Sequence, residues 1–168
     1  MEAPAGPNAA VKAHVITVSD GVFHGKREDT GGPMLVSLLG RSGFEVGGPE
    51  VVADEADRIR EAVMTAIARG VDLVVATGGT GLGPRDVTPQ AMASLLDYDV
   101  PGIGEAMRRA GATSTPMAAL SRSMAGVRES TLIISVPGSP KGAIESLEAV
   151  MPIVGHAIQL LHGDTTHT

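Results

Sequence analysis

Short apolar runs rich in β-branched residues alternate along this chain with longer stretches whose apolar residues recur three and four positions apart. The first pattern predicts buried strands and the second amphipathic helices. Residues 14–18 read as a strand that ends at Ser19-Asp20-Gly21, followed by a polar loop to Asp29. Thr30-Gly31-Gly32-Pro33 opens a helix with Met34, Leu35, Leu38 and Leu39 on one face, closed by Gly40 and Gly43. A shorter strand follows around residues 45–52. Asp54 or Asp57 caps the next helix, whose core stripe is Ile59, Ala62, Val63, Ala66 and Ile67, and Gly70 ends it. Residues 73–76 form another buried strand. Thr88 then reads as an N-cap with Pro89 at the first helical position, leading a helix that carries Met92, Leu95 and Leu96. Pro101-Gly102-Ile103-Gly104 predicts a break before a short helix at 105–109, and residues 111–128 are small and polar. Residues 131–136 form a last buried strand. The final helix has Ile144, Leu147, Met151, Val154, Ile158 and Leu161 on one seam, with Pro152 expected to kink or interrupt it.

Strands alternating with helices over the whole length predict an α/β domain with a largely parallel sheet and helices on both faces. There is no internal repeat. Residues 1–12, rich in Ala, Pro and Gly, read as a disordered leader, 13–164 as a single domain, and 165–168 as a flexible tail. In open α/β sheets, ligands bind beyond the carboxyl ends of the strands. Three predicted strands end in unusual loops, at Ser19-Asp20-Gly21, at 77–86 and at 137–142. Parallel strands bring those loops to one edge.

Composition narrows the function. A formal net charge of −6 argues against a generic nucleic-acid binder, and three aromatic residues, Phe23, Phe44 and Tyr98, do not make a base-stacking platform. The absence of cysteine excludes disulfides, Fe–S clusters, thiolate zinc sites and thiol nucleophiles. The five histidines form no H-E-x-x-H or H-x-H pair. No segment approaches the ~20 apolar residues of a membrane span, so the expected location is cytoplasmic.

The richest candidate chemistry lies in 77–89, T-G-G-T-G-L-G-P-R-D-V-T-P. A strand, a glycine loop and a helix start together offer backbone N–H groups to a phosphate. Neither known glycine fingerprint fits. G-x-x-x-x-G-K-S/T is missed because Gly25-Lys26 precedes Arg27, and G-x-G-x-x-G because Gly83 comes one residue early. Gly78, Gly79, Thr80 and Gly81 are therefore candidates for a phosphate cradle of another kind. Ser139 and Lys141, at a helix start, add a hydroxyl and a positive charge. Asp20, Asp54 and Asp86, near strand ends or helix starts, could hold Mg²⁺ alongside phosphate oxygens and waters. For Asp54 a helix cap competes with that role. This equipment suits phosphoryl or nucleotidyl transfer, which needs positioning, a metal and positive charge more than covalent chemistry.

Taken together, S-D-G at 19–21, D-T-G-G-P at 29–33, T-G-G-T-G-x-x-x-R-D-V-T-P at 77–89, P-G-x-G-E at 101–105 and P-G-S-P-K at 137–141 resemble the molybdopterin-binding proteins of molybdenum cofactor biosynthesis. Within that family the chain looks most like molybdopterin adenylyltransferases and the corresponding domain of gephyrin. The segment 119–134 has the same look, and the likeness runs from about His14 to Asp164. The resemblance implies a Rossmann-like three-layer sandwich assembled as a homotrimer. It implies transfer of adenylate from Mg²⁺-ATP to the terminal phosphate of molybdopterin, with release of pyrophosphate and delivery of the product to a molybdenum insertase. The attacking phosphate is already an anion, so no strong base is needed.

By motif, the resemblance makes Asp86 and Asp54 the functional aspartates, reversing the cap-first reading of Asp54, and makes both candidates for Mg²⁺. It makes Ser19, Asp20, Gly78, Gly79, Thr80, Gly81, Thr88, Gly138, Ser139 and Lys141 substrate or nucleotide contacts. S-D-G at 19–21 departs from the S-D-R or S-D-T of many relatives, and Gly83-Pro84 is a variable pair. A pterin-binding paralogue without catalysis and a trimeric interaction scaffold are the competing readings. The small-residue segments 101–107 and 111–124 are expected at subunit contacts, with Ser121 and Arg122 near a neighbouring site.

Overall fold

The structure, a computed structural model, describes residues 10–165. Most of the leader and residues 166–168 of the tail lie outside the described residues. In chain order the elements are β1 (Lys12–Val18), α1 (Asp20–Phe23), α2 (Gly31–Arg41), β2 (Glu45–Val52), α3 (Ala56–Ala68), β3 (Leu73–Thr77), α4 (Thr88–Ala93), β4 (Tyr98–Asp99) and α5 (Pro101–Ala112). A 3₁₀ turn (Pro116–Leu120), β5 (Ala125–Arg128), β6 (Thr131–Val136) and α6 (Pro140–Leu161) complete the chain. The strands make one sheet in the order β2-β1-β3-β6-β5-β4. β2, β1, β3 and β6 are parallel, while β5 runs antiparallel to β6 and β4 antiparallel to β5.

Side chains alternate between the two faces of each central strand, and each face has its own helices. Val15, Leu73, Val75, Leu132 and Ile134 pack with Leu35 and Leu39 of α2, Ile103 and Met107 of α5, and Leu147, Val150 and Val154 of α6. Ile16, Val74, Ala76 and Ile133 face the other way, onto Ile59, Val63 and Ile67 of α3 and Ala91 and Met92 of α4. The α/β sandwich with a mainly parallel sheet is thus as expected.

Several local expectations are corrected. Pro101 to Gly104 do not break the chain. Pro101 occupies the first turn of α5, where no N–H is needed, and Ile103 and Met107 are core residues, not contact-surface candidates. Residues 111–128 contain the 3₁₀ turn and β5, a short strand whose Ala, Gly and Val are all buried. Pro152 neither interrupts nor ends α6. Pro152 and Glu148, whose carbonyl it leaves unpaired, both lie on the exposed side, where water replaces the bond. α6 is also, by length and composition, apolar enough to cross a membrane, against expectation. Its stripe of Ala143, Leu147, Val150, Val154 and Ile158 is instead sealed against the sheet.

Candidate functional site

From β1 the chain reaches β2 on one side and β3 on the other, so the sheet's switch point lies at the carboxyl ends of β1 and β3. A crevice opens at such a point. Three strand ends meet there almost without side chains. Gly78, at φ +103°, donates its N–H to Val136 O at 3.1 Å, and a Cβ on it would run into the carbonyl of Val18. A Cβ on Gly138 would stand 3.3 Å from Gly78 Cα.

Gly79 has φ +65°, and a Cβ there would strike Thr88 Oγ1 and come 3.1 Å from Asp54 Oδ1. Thr88 is fully buried. Its hydroxyl donates to Gly78 O at 2.8 Å and its N–H to Gly79 O at 3.1 Å. Val87, not Thr88, is the N-cap of α4. Thr88 therefore clamps the loop and has no surface to offer a nucleotide, which corrects its assignment as a contact. Thr80 is also buried, and its carbonyl accepts from Arg122 N–H at 2.8 Å. Beyond it the loop closes on itself. Gly83 N–H donates to Asp86 Oδ2 at 2.8 Å, and Asp86 N–H donates to Gly83 O at 3.0 Å. Asp86 thereby turns its carboxylate back over Gly81 and Gly83, where added Cβ atoms would come within 3.0 and 2.8 Å of Oδ2.

Asp54 leaves the end of β2 just before α3. Neither Asp54 nor Asp57 caps that helix, whose N-cap is Glu55 with no side-chain bond. The Asp54 carboxylate accepts the N–H of Asp20 at 2.7 Å. Burial pushes the Asp54 carboxyl above the ordinary range, and the negative charges of Asp20 and Asp86 push the same way. Asp20 faces the opposite situation. Arg85 donates to both its oxygens, at 2.9 and 3.1 Å, and holds its carboxyl below the ordinary range, helped by the N–H of Asp54. The pair raises Arg85 in turn. Asp20 is thus already engaged by a cation, which leaves Asp54 and Asp86 as the carboxylates short of positive charge.

Ser19 caps α1, accepting from Val22 N–H at 3.2 Å, and Ser139 caps α6, accepting from Gly142 N–H at 3.2 Å. Both serines line a polar cavity of about 630 Å³ with Thr17, Arg27, Asp29 and Gly31. Across Gly138 and Ser139 lies a second, apolar cavity of about 440 Å³, with Leu82, Met107, Met117 and Leu120 in its wall. Asp54 and Asp86 line neither. They stand beside the glycine loop where α3 and α4 begin. Lys141 is not brought in. Its side chain is 80% exposed and pairs with Glu145 at 3.8 Å, outside both cavity walls.

Three residues matter more than the sequence suggested. Asp29 accepts from Thr17 Oγ1 at 2.8 Å and from Gly32 N–H at 3.0 Å, fixing the start of α2. Its spacing of three from Gly32 is the readable signal. Arg85 ties the glycine loop to Asp20. Arg122, expected near a neighbouring subunit, is committed to its own loop, donating to Gly81 O at 2.9 Å and Asp86 O at 2.8 Å. No periodicity betrays a partner about forty residues away.

Among the described residues no three His, Cys, Asp or Glu side chains form a ready metal cage. That set excludes an all-protein site but fits Mg²⁺, which takes one or two carboxylates and completes its shell with phosphate oxygens and water. Asp54, desolvated and facing other carboxylates, is a group such an ion would relieve.

Residues 14–156 match the family described as "Probable molybdopterin binding domain". The chain is 44% identical over 161 residues to a molybdenum cofactor biosynthesis bifunctional protein of Synechococcus elongatus, covering 96% of this chain and 50% of that protein. It spans about half, or less, of several such curated relatives. It is 38% identical over 156 residues to a molybdopterin adenylyltransferase of Helicobacter pylori, covering 89% of this chain and 87% of the relative. The solved molybdopterin biosynthesis enzyme MoaB of Thermus thermophilus superposes with a TM-score of 0.85 at 49% identity, over 91% of this chain and 97% of that one. With the match running over most of its length and its fold shared with a solved relative, this chain belongs to the molybdopterin-binding domain family of molybdenum cofactor biosynthesis.

Proposed function

We propose that this chain is a molybdopterin adenylyltransferase. A terminal phosphate oxygen of molybdopterin attacks the α-phosphorus of ATP, the bond to the β-phosphate oxygen breaks, and pyrophosphate leaves. The observation that carries this reading is the convergence of Asp54 and Asp86 on the glycine loop at the sheet's switch point. Gly79, Thr80 and Gly81 would lend N–H groups to phosphate oxygens, and Gly78, whose own N–H is spent on Val136 O, keeps the loop without a side chain at its base. Ser19 and Ser139 hold their helix starts over the polar cavity. Asp86 and Asp54 would hold Mg²⁺, which neutralises charge gathering on the triphosphate. The nucleophile arrives as an anion, in keeping with a site built of carboxylates and backbone donors.

The same reading includes a cytoplasmic homotrimer that passes its product to a molybdenum insertase. Leu82, Met117 and Leu120, all exposed, supply apolar surface for subunit or partner contact. The deciding experiment is incubation with ATP, Mg²⁺ and molybdopterin while pyrophosphate is followed. Release dependent on all three supports adenylylation. Tight pterin binding with no release would leave the non-catalytic paralogue.

A further inference from the structure

Segment 121–123 joins two parts of the site. On one side it walls the apolar cavity, where Ser121 stands beside Met117, Leu120 and Arg108. Arg108 of α5 donates from Nη1 to Ser123 O at 2.7 Å and Ser121 O at 3.4 Å. Ser121 Oγ donates to Ser123 Oγ at 2.9 Å. A Cβ on Gly104 would stand 3.0 Å from Ser123 O, so this wall sits directly on α5.

On the other side Arg122 holds the glycine loop at three points. Its N–H donates to Thr80 O at 2.8 Å, its Nε to Gly81 O at 2.9 Å and its Nη2 to Asp86 O at 2.8 Å. A guanidinium presents its donors in a fixed planar fork. The carbonyls of Gly81 and Asp86 are therefore kept at a set separation. Between them runs the exposed part of the loop, residues 82–85. Holding Asp86 O also sets where its carboxylate meets Gly83 N–H.

We propose that Arg122 is a positioning residue that couples the segment held by Arg108 to Asp86 and sets this carboxylate for the nucleotide and its cation. Only the kinetic consequence rests on the adenylyl-transfer reading. The coupling itself is a property of the free chain.

Amide hydrogen exchange on the whole protein tests it in the absence of ligand. In Arg122→Lys, which keeps the charge and loses the fork, exchange in residues 80–86 and 117–123 should rise together by about tenfold, with β3 and β6 unchanged. Arg108→Met, which loosens the wall from its far side, should accelerate both segments as well. Residues 80–86 unchanged in either variant would overturn the coupling. In turnover, Arg122→Lys should lower kcat at least about tenfold with the KM for ATP within about threefold. Full kcat in Arg122→Lys would show that charge alone suffices and would overturn the positioning role. A wild-type protein that releases no pyrophosphate would instead sink the adenylyl-transfer reading, while the exchange result still decides the coupling.

Discussion

Asp20 and Asp54 bind each other in both directions: the peptide N–H of Asp20 donates to the carboxylate of Asp54 at 2.7 Å, and the peptide N–H of Asp54 donates to the carboxylate of Asp20 at 3.0 Å. This exchange places two negative charges together, and only Asp20 has an arginine against it. The folded chain thus holds a proton on Asp54 more tightly than the unfolded chain does, because of burial and its neighbours. Stability from this group is full below the ordinary carboxylate range and is lost as pH rises through its raised value. Asp54→Asn keeps an oxygen for the Asp20 N–H. The ligand-free variant should melt about 2 °C above wild type at pH 7, with the gap closing toward pH 4. Millimolar Mg²⁺ with ATP should raise the wild-type Tm and leave the variant nearly unmoved. A variant that melts below wild type at pH 7 would contradict this account.

Asp86→Asn keeps the acceptor for Gly83 N–H and removes the charge. Turnover should fall at least about a hundredfold, the scale of losing one positioned electrostatic group. Pterin binding and Tm should barely change. Near-normal pyrophosphate release would remove Asp86 from the chemistry.

Gly79→Ala tests the loop itself. The new Cβ would strike the Thr88 hydroxyl at a backbone angle that L-residues avoid. The expected cost is about 2 kcal/mol, seen as a Tm lower by roughly 6 °C. Unchanged thermal unfolding would mean the loop conformation is not fixed as described.

Neither cavity has an aromatic residue in its wall. ATP affinity should therefore reside in the phosphates and their cation, and EDTA should weaken binding strongly. Calorimetry in which adenosine alone binds as tightly as Mg²⁺-ATP would refute this.

Assembly is checked by light scattering after size exclusion at micromolar concentration. The expected mass is near three times the 17.1 kDa chain. A mass of one chain would remove the trimer, and a mass of six would point to a dimer of trimers.

The central sheet was legible because its strands are short apolar runs between glycine-rich punctuation, and helices α2, α3 and α6 because their stripes are long enough to repeat. Residues 98–128 were legible only at the helix expected over 105–109, which lies within α5. β4 has two residues and β5 has four, too few for periodicity to register, and their identity as strands comes from pairing, β5 with β6 and β4 with β5. At the site, the motifs located Asp54, Asp86 and the glycines. They could not show that Thr88 turns inward, that Lys141 lies along the outside of α6, or that Arg85 already occupies Asp20. Each of those depends on side-chain direction across segments distant in sequence, which spacing alone does not encode.

The near-contact of Gly78 with Val18 O and of Gly138 with Gly78 has an evolutionary consequence. A side chain at Gly78 would drive into the carbonyl of Val18 and part β1 from β3, and one at Gly138 would press on Gly78. New contacts are sterically easier at the periphery, at positions such as Leu82 and Met117, which face solvent. Sterics thus separate a constrained centre from a replaceable border, and relatives with different ligands should differ from this chain at the border first.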